Sequence, residues 1–120
     1  MVHDLDDNLF KEKIFDYTER DNAPLLIKND TIIEFWVTWC PHCQAMIPRY
    51  EKVSEVFPNV TCDRIELEQH PELGKLFGVD GFPTFIFIST DGKMLKWEGE
   101  VPETELSNMV TKAFKIEPSK

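Results

Sequence analysis

The sequence predicts an α/β fold in which a mixed central β-sheet of four to five strands is flanked by four helices. Apolar strand-like runs alternate with helical periodicity in the order β-α-β-α-β-α-β-β-α, which is typical of a sheet covered on both faces. Residues 31–38 form a nearly continuous apolar run, as expected of a central strand buried on both faces. The tight turn Thr90-Asp91-Gly92 separates two strand-like runs and predicts a hairpin.

The first two elements are predicted from capping residues and periodicity. A short strand is expected over residues 2–5. Asp6-Asp7-Asn8 supplies N-cap candidates for a helix. Phe10, Ile14 and Tyr17 then recur at helical spacing, so we expect the helix to carry all three on its buried face.

A break and two strands are predicted between this helix and the next. Residues 21–24, Asp-Asn-Ala-Pro, indicate an interruption of regular structure. Residues 25–28 predict a small extra strand that ends in a turn at Asn29-Asp30. The run over residues 31–38 follows as the first central strand.

A long second helix is expected after residue 40. Its buried stripe is predicted to consist of Met46, Tyr50, Val53 and Phe57. Pro48 falls inside this helix and should kink it, because proline lacks the amide proton and clashes with the preceding turn. Pro58-Asn59 is predicted to end it.

The C-terminal half continues the alternation. Residues 60–67 predict a second central strand, and residues 71–77 predict a short helix with Leu73, Leu76 and Phe77 facing inward. Residues 78–83 form a loop before strands at 84–88 and 94–98. Pro102 suits the first position of a last helix, whose predicted core face is Leu106, Met109, Val110, Ala113 and Phe114.

Length and composition restrict the class of protein. With 120 residues, 42% of them hydrophobic, one domain over residues 1–120 with a sizeable core is expected. The formal net charge of −9 disfavours nucleic acid, whose phosphates require Lys and Arg. No apolar stretch approaches a membrane span. The acidic N-terminus lacks the apolar segment of a signal peptide, so we expect a cytoplasmic protein; removal of a signal would leave a periplasmic or extracellular location open.

The pair Cys40 and Cys43, separated by Pro41 and His42, carries the chemistry. The pair lies between a predicted strand and a predicted helix, so Cys40 should lie partly exposed at a helix N-terminus. Helix dipoles and a nearby imidazole stabilise a thiolate, and the thiolate is the nucleophile in disulfide exchange. Cys43, one turn later, can reach back and close a disulfide. C-x-x-C in such a β-α context indicates a redox motif.

Two alternatives remain open for the cysteines. They could be soft ligands of a metal, although a zinc site takes four ligands and a second C-x-x-C is absent; His42, Cys62 and His70 are the conceivable partners. The domain could also be a binding module without catalysis. Cys62 is expected to point inward and to behave as a small hydrophobic residue.

Four motifs occur in the order found in one known family. Residues 34–43 (EFWVTWCPHC) match its strand and active-site loop, Pro48 its helix kink, residues 81–84 (Gly-Phe-Pro-Thr) its cis-proline loop, and Gly99 a glycine near its active site. The chain therefore resembles the thioredoxin family over nearly its whole length. The resemblance implies the thioredoxin fold and thiol–disulfide exchange.

Three positions depart from the thioredoxin pattern. Pro41-His42 replaces the usual Gly-Pro and resembles DsbA-type oxidants and some atypical bacterial thioredoxins, but the chain has no room for the helical insertion of DsbA. Glu34 stands where thioredoxins have a buried Asp, as in many protein disulfide isomerase domains. Arg64 takes the place of the accompanying Lys.

The resemblance assigns a role to each catalytic candidate. Cys40 would attack a disulfide, Cys43 would resolve the mixed disulfide, and Glu34 would take the proton of Cys43. A carboxyl on a buried strand has a raised pKa, which suits Glu34 to this role. His42 would stabilise the Cys40 thiolate and make the protein more oxidising. A carboxylate that only pairs with Arg64, and a histidine with little effect, are the alternatives.

The substrate surface is expected to comprise Trp39, Pro41, Phe82 and Pro83. A cis bond before Pro83 would place a backbone edge beside Cys40, where an extended substrate could pair as an added strand. Phe82 would help to set substrate preference, and Trp36 and Trp39 would pack around the site.

We therefore expect a monomeric thiol–disulfide oxidoreductase that uses no bound cofactor. Its partners would be proteins with disulfides or dithiols. A thioredoxin-like reductase with a relatively oxidising potential would be recharged by a thioredoxin reductase. A DsbA-like or isomerase-like oxidant in an extracytoplasmic compartment, favoured by His42, is the alternative.

Overall fold

A computed structural model describes residues 1–19 and 23–119. Within these residues the elements follow the predicted order. The strands are β1 (Val2–Asp4), β2 (Thr31–Trp36), β3 (Thr61–Glu66), β4 (Thr84–Ile88) and β5 (Met94–Glu98). The helices are α1 (Asp7–Lys13), α2 (Pro41–Val56), α3 (Pro71–Leu76) and α4 (Glu103–Phe114). None of these helices is both long and apolar enough to cross a bilayer.

The strands form one mixed sheet in the order β1-β3-β2-β4-β5. Strands β1, β3 and β2 are parallel to one another, β4 runs antiparallel to β2, and β5 pairs antiparallel with β4 as a hairpin. The central position of β2 explains its apolar run, since both of its faces are covered. Because β2 leads through a short connection into α2, the C-x-x-C motif lies at the carboxyl edge of the central strand.

Each face of the sheet carries its own core. Ile33 and Phe35 of β2 point to the face covered by α1 and α3. Ile32 points to the opposite face, where it meets α2 and α4. The predicted stripe of α2 is confirmed, because Met46, Tyr50, Val53 and Phe57 are all buried. Packing of this stripe fixes α2, and with it the position of the cysteines at its first turn.

The first helix is shorter than predicted. Asp6 caps it by accepting a hydrogen bond from the Leu9 amide, but it ends at Lys13, so Tyr17 lies outside the helix. The cause is local: the Asp16 carboxylate accepts a hydrogen bond from the Thr18 amide at 3.0 Å, a side-chain turn that competes with helix. The Tyr17 ring still packs against Phe10, at 6.0 Å between centroids.

The small extra strand predicted at residues 25–28 is wrong. This segment joins no strand ladder, and its recorded backbone link is a hydrogen bond from the Leu26 amide to the Ile14 carbonyl at 2.7 Å. The segment therefore adds no strand to either edge of the sheet, β1 or β5. Of the predicted break at 21–24, residues 21 and 22 lie outside the described residues.

Two further predictions at helices need correction. In α3, Leu73 is buried but Leu76 is exposed, because the inner face of the helix is formed by Leu73, Gly74 and the half-buried Phe77. Gly74 lies directly on Leu67, with which a side chain at this position would collide. Pro102 is the N-cap of α4 rather than its first helical residue. The predicted core face of α4 is confirmed, with its outer members half-buried.

Candidate active site

Cys40 occupies the N-cap of α2, with Pro41 at the first helical position. Its Sγ accepts a hydrogen bond from the Cys43 amide at 3.2 Å. A side-chain acceptor at an N-cap satisfies one of the free amides of the first turn, and the positive end of the helix dipole favours a negative charge there. The predicted location of Cys40 at a helix tip is confirmed.

The exposure of Cys40 differs from the prediction. The residue is buried, with 5% of its surface open, and Cys43 is completely enclosed. Pro41 and His42 between them are exposed, because the helix turns these two side chains away from the core. A reacting disulfide can therefore reach only the small exposed part of Cys40, and it cannot reach Cys43 directly.

The two thiols are chemically unlike. Burial, helped by the hydrogen bond with Cys40 and the charge of Glu34, raises the pKa of Cys43 to about 12. At neutral pH the Cys43 thiol therefore keeps its proton. Cys43 can act as a nucleophile only when a nearby base takes that proton as its sulfur attacks.

Glu34 on β2 is the buried carboxyl that the sequence predicted. It is 1% exposed, and burial raises its pKa from 4.5 to about 8, with Arg64 opposing the rise. Its Oε2 atom has no hydrogen-bond partner among the described residues. A carboxyl with this pKa exchanges protons near neutral pH.

Arg64 is not the ion-pair partner of Glu34. Its Nε donates to the Asp4 carboxylate on β1 at 2.6 Å, and its guanidinium lies over the ring of Trp36, at 5.2 Å from the centroid. The alternative of a carboxylate engaged only in a structural pair with Arg64 is therefore wrong. Trp36 is half-buried and borders this part of the site, as predicted.

The loop before β4 lies against Cys40. The bond between Phe82 and Pro83 is cis, as predicted, and the Phe82 carbonyl oxygen is 3.9 Å from Cys40 Sγ. The Thr84 hydroxyl donates to the Gly81 carbonyl at 2.7 Å, and the Gly99 amide donates to the Pro83 carbonyl at 2.8 Å. These bonds fix the loop from both sides.

Two aromatic rings form a rim around Cys40. Trp39 is 65% exposed, and its ring meets that of Phe82 edge to face at 6.3 Å. The exposed ring of Trp39 is therefore available to a molecule that approaches Cys40. With Pro41 and Pro83, the rim contains all four residues that the sequence predicted for the substrate surface.

His42 forms a network that the sequence did not indicate. Its Nδ1 is 2.8 Å from Glu100 Oε1, and Arg49 Nη1 donates to Glu100 Oε2 and to the Val101 carbonyl, both at 2.9 Å. These bonds hold the pKa of Glu100 below its usual value, His42 contributing most. The imidazole is thus fixed on the side of α2 that faces the loop after β5.

A groove of about 650 Å³ opens beside this network. His42, Phe82 and the segment from Gly99 to Glu103 line it. It adjoins the rim around Cys40, because Phe82 belongs to both. Gly99, with φ of +116°, takes a backbone conformation that favours glycine.

Asp4, Arg49 and Glu100 are the site residues that sequence reasoning missed. Asp4 lies 60 positions from Arg64, and Glu100 lies 58 positions from His42. Glu100 directly follows Gly99, which the sequence did single out. No spacing rule connects the members of either pair, because the fold alone brings them together.

Two remaining candidates lie apart from the dithiol chemistry. Cys62 is buried in β3, as predicted, and burial raises its pKa to about 12. His70 approaches Asp7 at 3.5 Å. Across residues 1–19 and 23–119, no group of three or more His, Cys, Asp or Glu side chains is arranged to hold a metal ion.

Comparison with known proteins adds a family match. The family model described as Thioredoxin matches residues 5–112. A putative thioredoxin 2 from Streptomyces coelicolor is 31% identical over 103 residues, covering 86% of this chain and 72% of that protein. A thioredoxin from Borreliella burgdorferi is 27% identical over 115 residues, covering 95% of this chain and 98% of that protein.

The fold of the chain is also similar to that of a solved structure. The crystal structure of chloroplastic thioredoxin z superimposes with a TM-score of 0.75 at 23% identity, covering 93% of each chain. The predicted order of elements and the mixed five-stranded sheet with four helices are confirmed as that fold.

Proposed function

The chain belongs to the thioredoxin family and is a thiol–disulfide oxidoreductase acting on protein disulfides; we propose that it works as a reductase with a potential less negative than that of thioredoxins carrying Gly-Pro between the cysteines. The observation that carries this proposal is the pairing of an N-cap thiol, Cys40, with an enclosed thiol, Cys43, beside a fixed histidine, His42.

The first step is attack by the Cys40 thiolate on a substrate disulfide. A bond forms between Cys40 Sγ and one substrate sulfur, the substrate disulfide breaks, and the other substrate sulfur leaves as a thiolate that takes a proton. The Cys43 amide, which donates to Cys40 Sγ at 3.2 Å, and the helix N-terminus stabilise the negative sulfur before attack.

The second step is resolution by Cys43. Its proton passes to the Glu34 carboxylate, its sulfur bonds to Cys40 Sγ, and the bond between Cys40 and the substrate breaks to release a substrate thiolate. With a pKa of about 8, about one Glu34 in ten is ionised at pH 7. The enzyme disulfide and the reduced substrate are the products, and reversal of both steps would oxidise a dithiol.

The substrate would bind across the aromatic rim. An extended segment would lie between Trp39 and Phe82, with backbone pairing at Phe82-Pro83, and would continue into the groove beside His42. Contact with Pro41, exposed at the helix tip, would complete the surface.

Replacing Phe82 by alanine is expected to raise the KM for a protein disulfide about threefold to tenfold. The variant would lose the ring that contacts the substrate, and a ring contact of this kind contributes about 0.5–1.5 kcal/mol. Reduction of a small aromatic disulfide should change much less, since it needs no extended surface. Steady-state kinetics with both substrates measures this. Phe15→Ala, away from the rim, is the matched control; equal losses on both substrates would contradict a role in substrate binding.

The redox potential tests the direction of exchange. Equilibration with glutathione buffers, followed through the fluorescence of Trp39, should give a value between about −270 mV, the thioredoxin value, and about −180 mV, that of protein disulfide isomerase. A value near −120 mV, that of DsbA, would favour the alternative, an oxidant of an extracytoplasmic compartment. His42 is the feature that supports this alternative.

Replacing His42 by alanine is expected to make the potential more negative. An imidazole that stabilises the reduced form by about 1.4 kcal/mol raises a two-electron potential by about 30 mV, so the variant should fall by about that amount. The same glutathione equilibrium measures the shift. His3→Ala, on the exposed first strand, is the control; an unchanged potential in His42→Ala would exclude the tuning role.

The reductase proposal also implies a partner and a compartment. A reductase needs a supply of electrons, so we place the protein as a monomer in the cytoplasm, recharged by a thioredoxin reductase. Alkylation of the cellular protein under acid quench should find Cys40 and Cys43 mainly reduced. A fully oxidised pair in cells would indicate the oxidant alternative.

A further inference from the structure

Three ionisable side chains form one row across the parallel part of the sheet. Arg64 of β3 lies in register with Asp4 of β1 on one side and with Glu34 of β2 on the other. Residues in register on neighbouring strands project from the same face. The guanidinium therefore stands between two carboxyl groups that compete for it.

The structure shows which carboxyl group holds the guanidinium. Arg64 Nε donates to Asp4 Oδ1 at 2.6 Å, and the Trp36 ring supports the guanidinium from one side. The Asp4 side chain is 72% exposed, whereas Glu34 is enclosed and its Oε2 has no partner among the described residues. The arginine is drawn to the solvent side of the row, away from the buried acid.

We propose that Asp4 is a positioning residue that holds the Arg64 guanidinium away from Glu34 and thereby keeps the Glu34 carboxyl able to exchange a proton with the active-site dithiol. This inference rests on the proposed role of Glu34 in resolution. Asp4 touches neither substrate nor thiol, and it acts through Arg64.

The charges around Glu34 explain why Arg64 matters. The neighbour of Glu34 on β4, Phe85, carries no charge. From α2, Cys43 and Tyr50 face it, and burial raises the pKa of both, so both are neutral at pH 7. Among the described residues that face Glu34, Arg64 is thus the charged side chain whose position can change the pKa of Glu34. A guanidinium in contact lowers a carboxyl pKa by about 1–3 units, which would leave more of Glu34 ionised at pH 7 and make it a weaker base.

The Arg64 guanidinium can move from Asp4 to Glu34 because its ion pair with Asp4 is weak. An ion pair with one largely exposed partner, as here, contributes little to stability. Removal of the Asp4 carboxylate frees the guanidinium, and Glu34 is then the acid in register with Arg64, so the new contact needs no backbone movement.

The test is the titration of Glu34 in the reduced protein by carbon-detected NMR of its side-chain carboxyl. In Asp4→Ala the pKa of Glu34 is expected to fall by about one unit, and Asp4→Glu should restore it. In an Arg64→Gln background, Asp4→Ala should change it by less than about a fifth of a unit, as a double-mutant cycle requires for an effect carried by Arg64. Glu55→Gln, which removes one exposed negative charge on α2, is the charge-matched control.

The second readout is the pH dependence of the rate at which dithiothreitol reduces the oxidised protein. Its midpoint should move to lower pH in Asp4→Ala by the same amount as the pKa of Glu34. An unchanged pKa, or an equal fall in the Arg64→Gln background, overturns the inference. A fall in pKa without movement of the rate profile overturns the link to proton transfer, while activity that depends on Cys40 and Cys43 would leave the proposed function standing.

Discussion

Replacing Cys40 by serine is expected to abolish disulfide exchange, with a loss of at least about 10³-fold in the reduction of insulin disulfides. Serine cannot supply a nucleophile of comparable strength, because the thiolate is the attacking species. Its hydroxyl can still accept the Cys43 amide hydrogen bond at the N-cap, so the fold should be retained. Turbidity of precipitating insulin, with dithiothreitol as reductant, measures the loss.

Cys43→Ser is the companion variant that separates the two thiols. The first step should proceed and the second should not, so a substrate bound to Cys40 by one disulfide should accumulate and be visible by mass spectrometry. Cys62→Ala is the matched control, since Cys62 is buried in β3 and should leave turnover in place. Activity that survives in Cys40→Ser, or a trapped substrate on Cys62, would refute the assignment.

The elements that carry strong patterns were predictable from the sequence. Strand β4 was predicted with its observed ends, and the stripe on α2 was predicted residue by residue, because both segments bury apolar side chains at their natural periods. The end of α1 was not predictable from periodicity. There a side-chain hydrogen bond to the backbone at Asp16 and Thr18 competes with an otherwise continuous helical pattern.

The same division applies to the site. Cys40, Cys43, Phe82 and Pro83 were predictable because each belongs to a short motif whose context is local. Arg64 pairs with Asp4 and not with Glu34. This pairing depends on the strand order β1-β3-β2, which a single sequence does not reveal. The contact between His42 and Glu100 likewise needs the loop after β5 to fold back onto α2.

Glu34 makes the protein less stable as the pH rises, and this dependence can be measured. Its pKa is about 8 in the folded state and about 4.5 when unfolded. Between these values the folded chain keeps a proton that the unfolded chain has lost, so the free energy of unfolding falls with increasing pH. This contribution to stability is complete below pH 4.5 and absent well above pH 8.

Replacing Glu34 by glutamine should therefore remove this pH dependence and slow catalysis. As the pH rises from 4.5 to 9, the unfolding free energy of the variant should increase by a few kcal/mol relative to that of the wild type, since each unit of pKa shift is worth about 1.4 kcal/mol. Resolution of the mixed disulfide should slow about 10²-fold at pH 7, because the variant has lost its general base. Urea denaturation of the reduced proteins and single-turnover kinetics measure the two effects.

Asp63→Asn is the matched control for this prediction. Asp63 is also buried, and burial raises its pKa from 3.8 to about 6, but it points to the sheet face opposite Glu34, since the two belong to adjacent register rows. Its replacement should remove pH dependence only between about pH 4 and 6 and should leave resolution of the mixed disulfide unchanged. If Glu34→Gln behaved in the same way, with altered stability but a normal rate of resolution, the proton released by Cys43 would have to go to another acceptor.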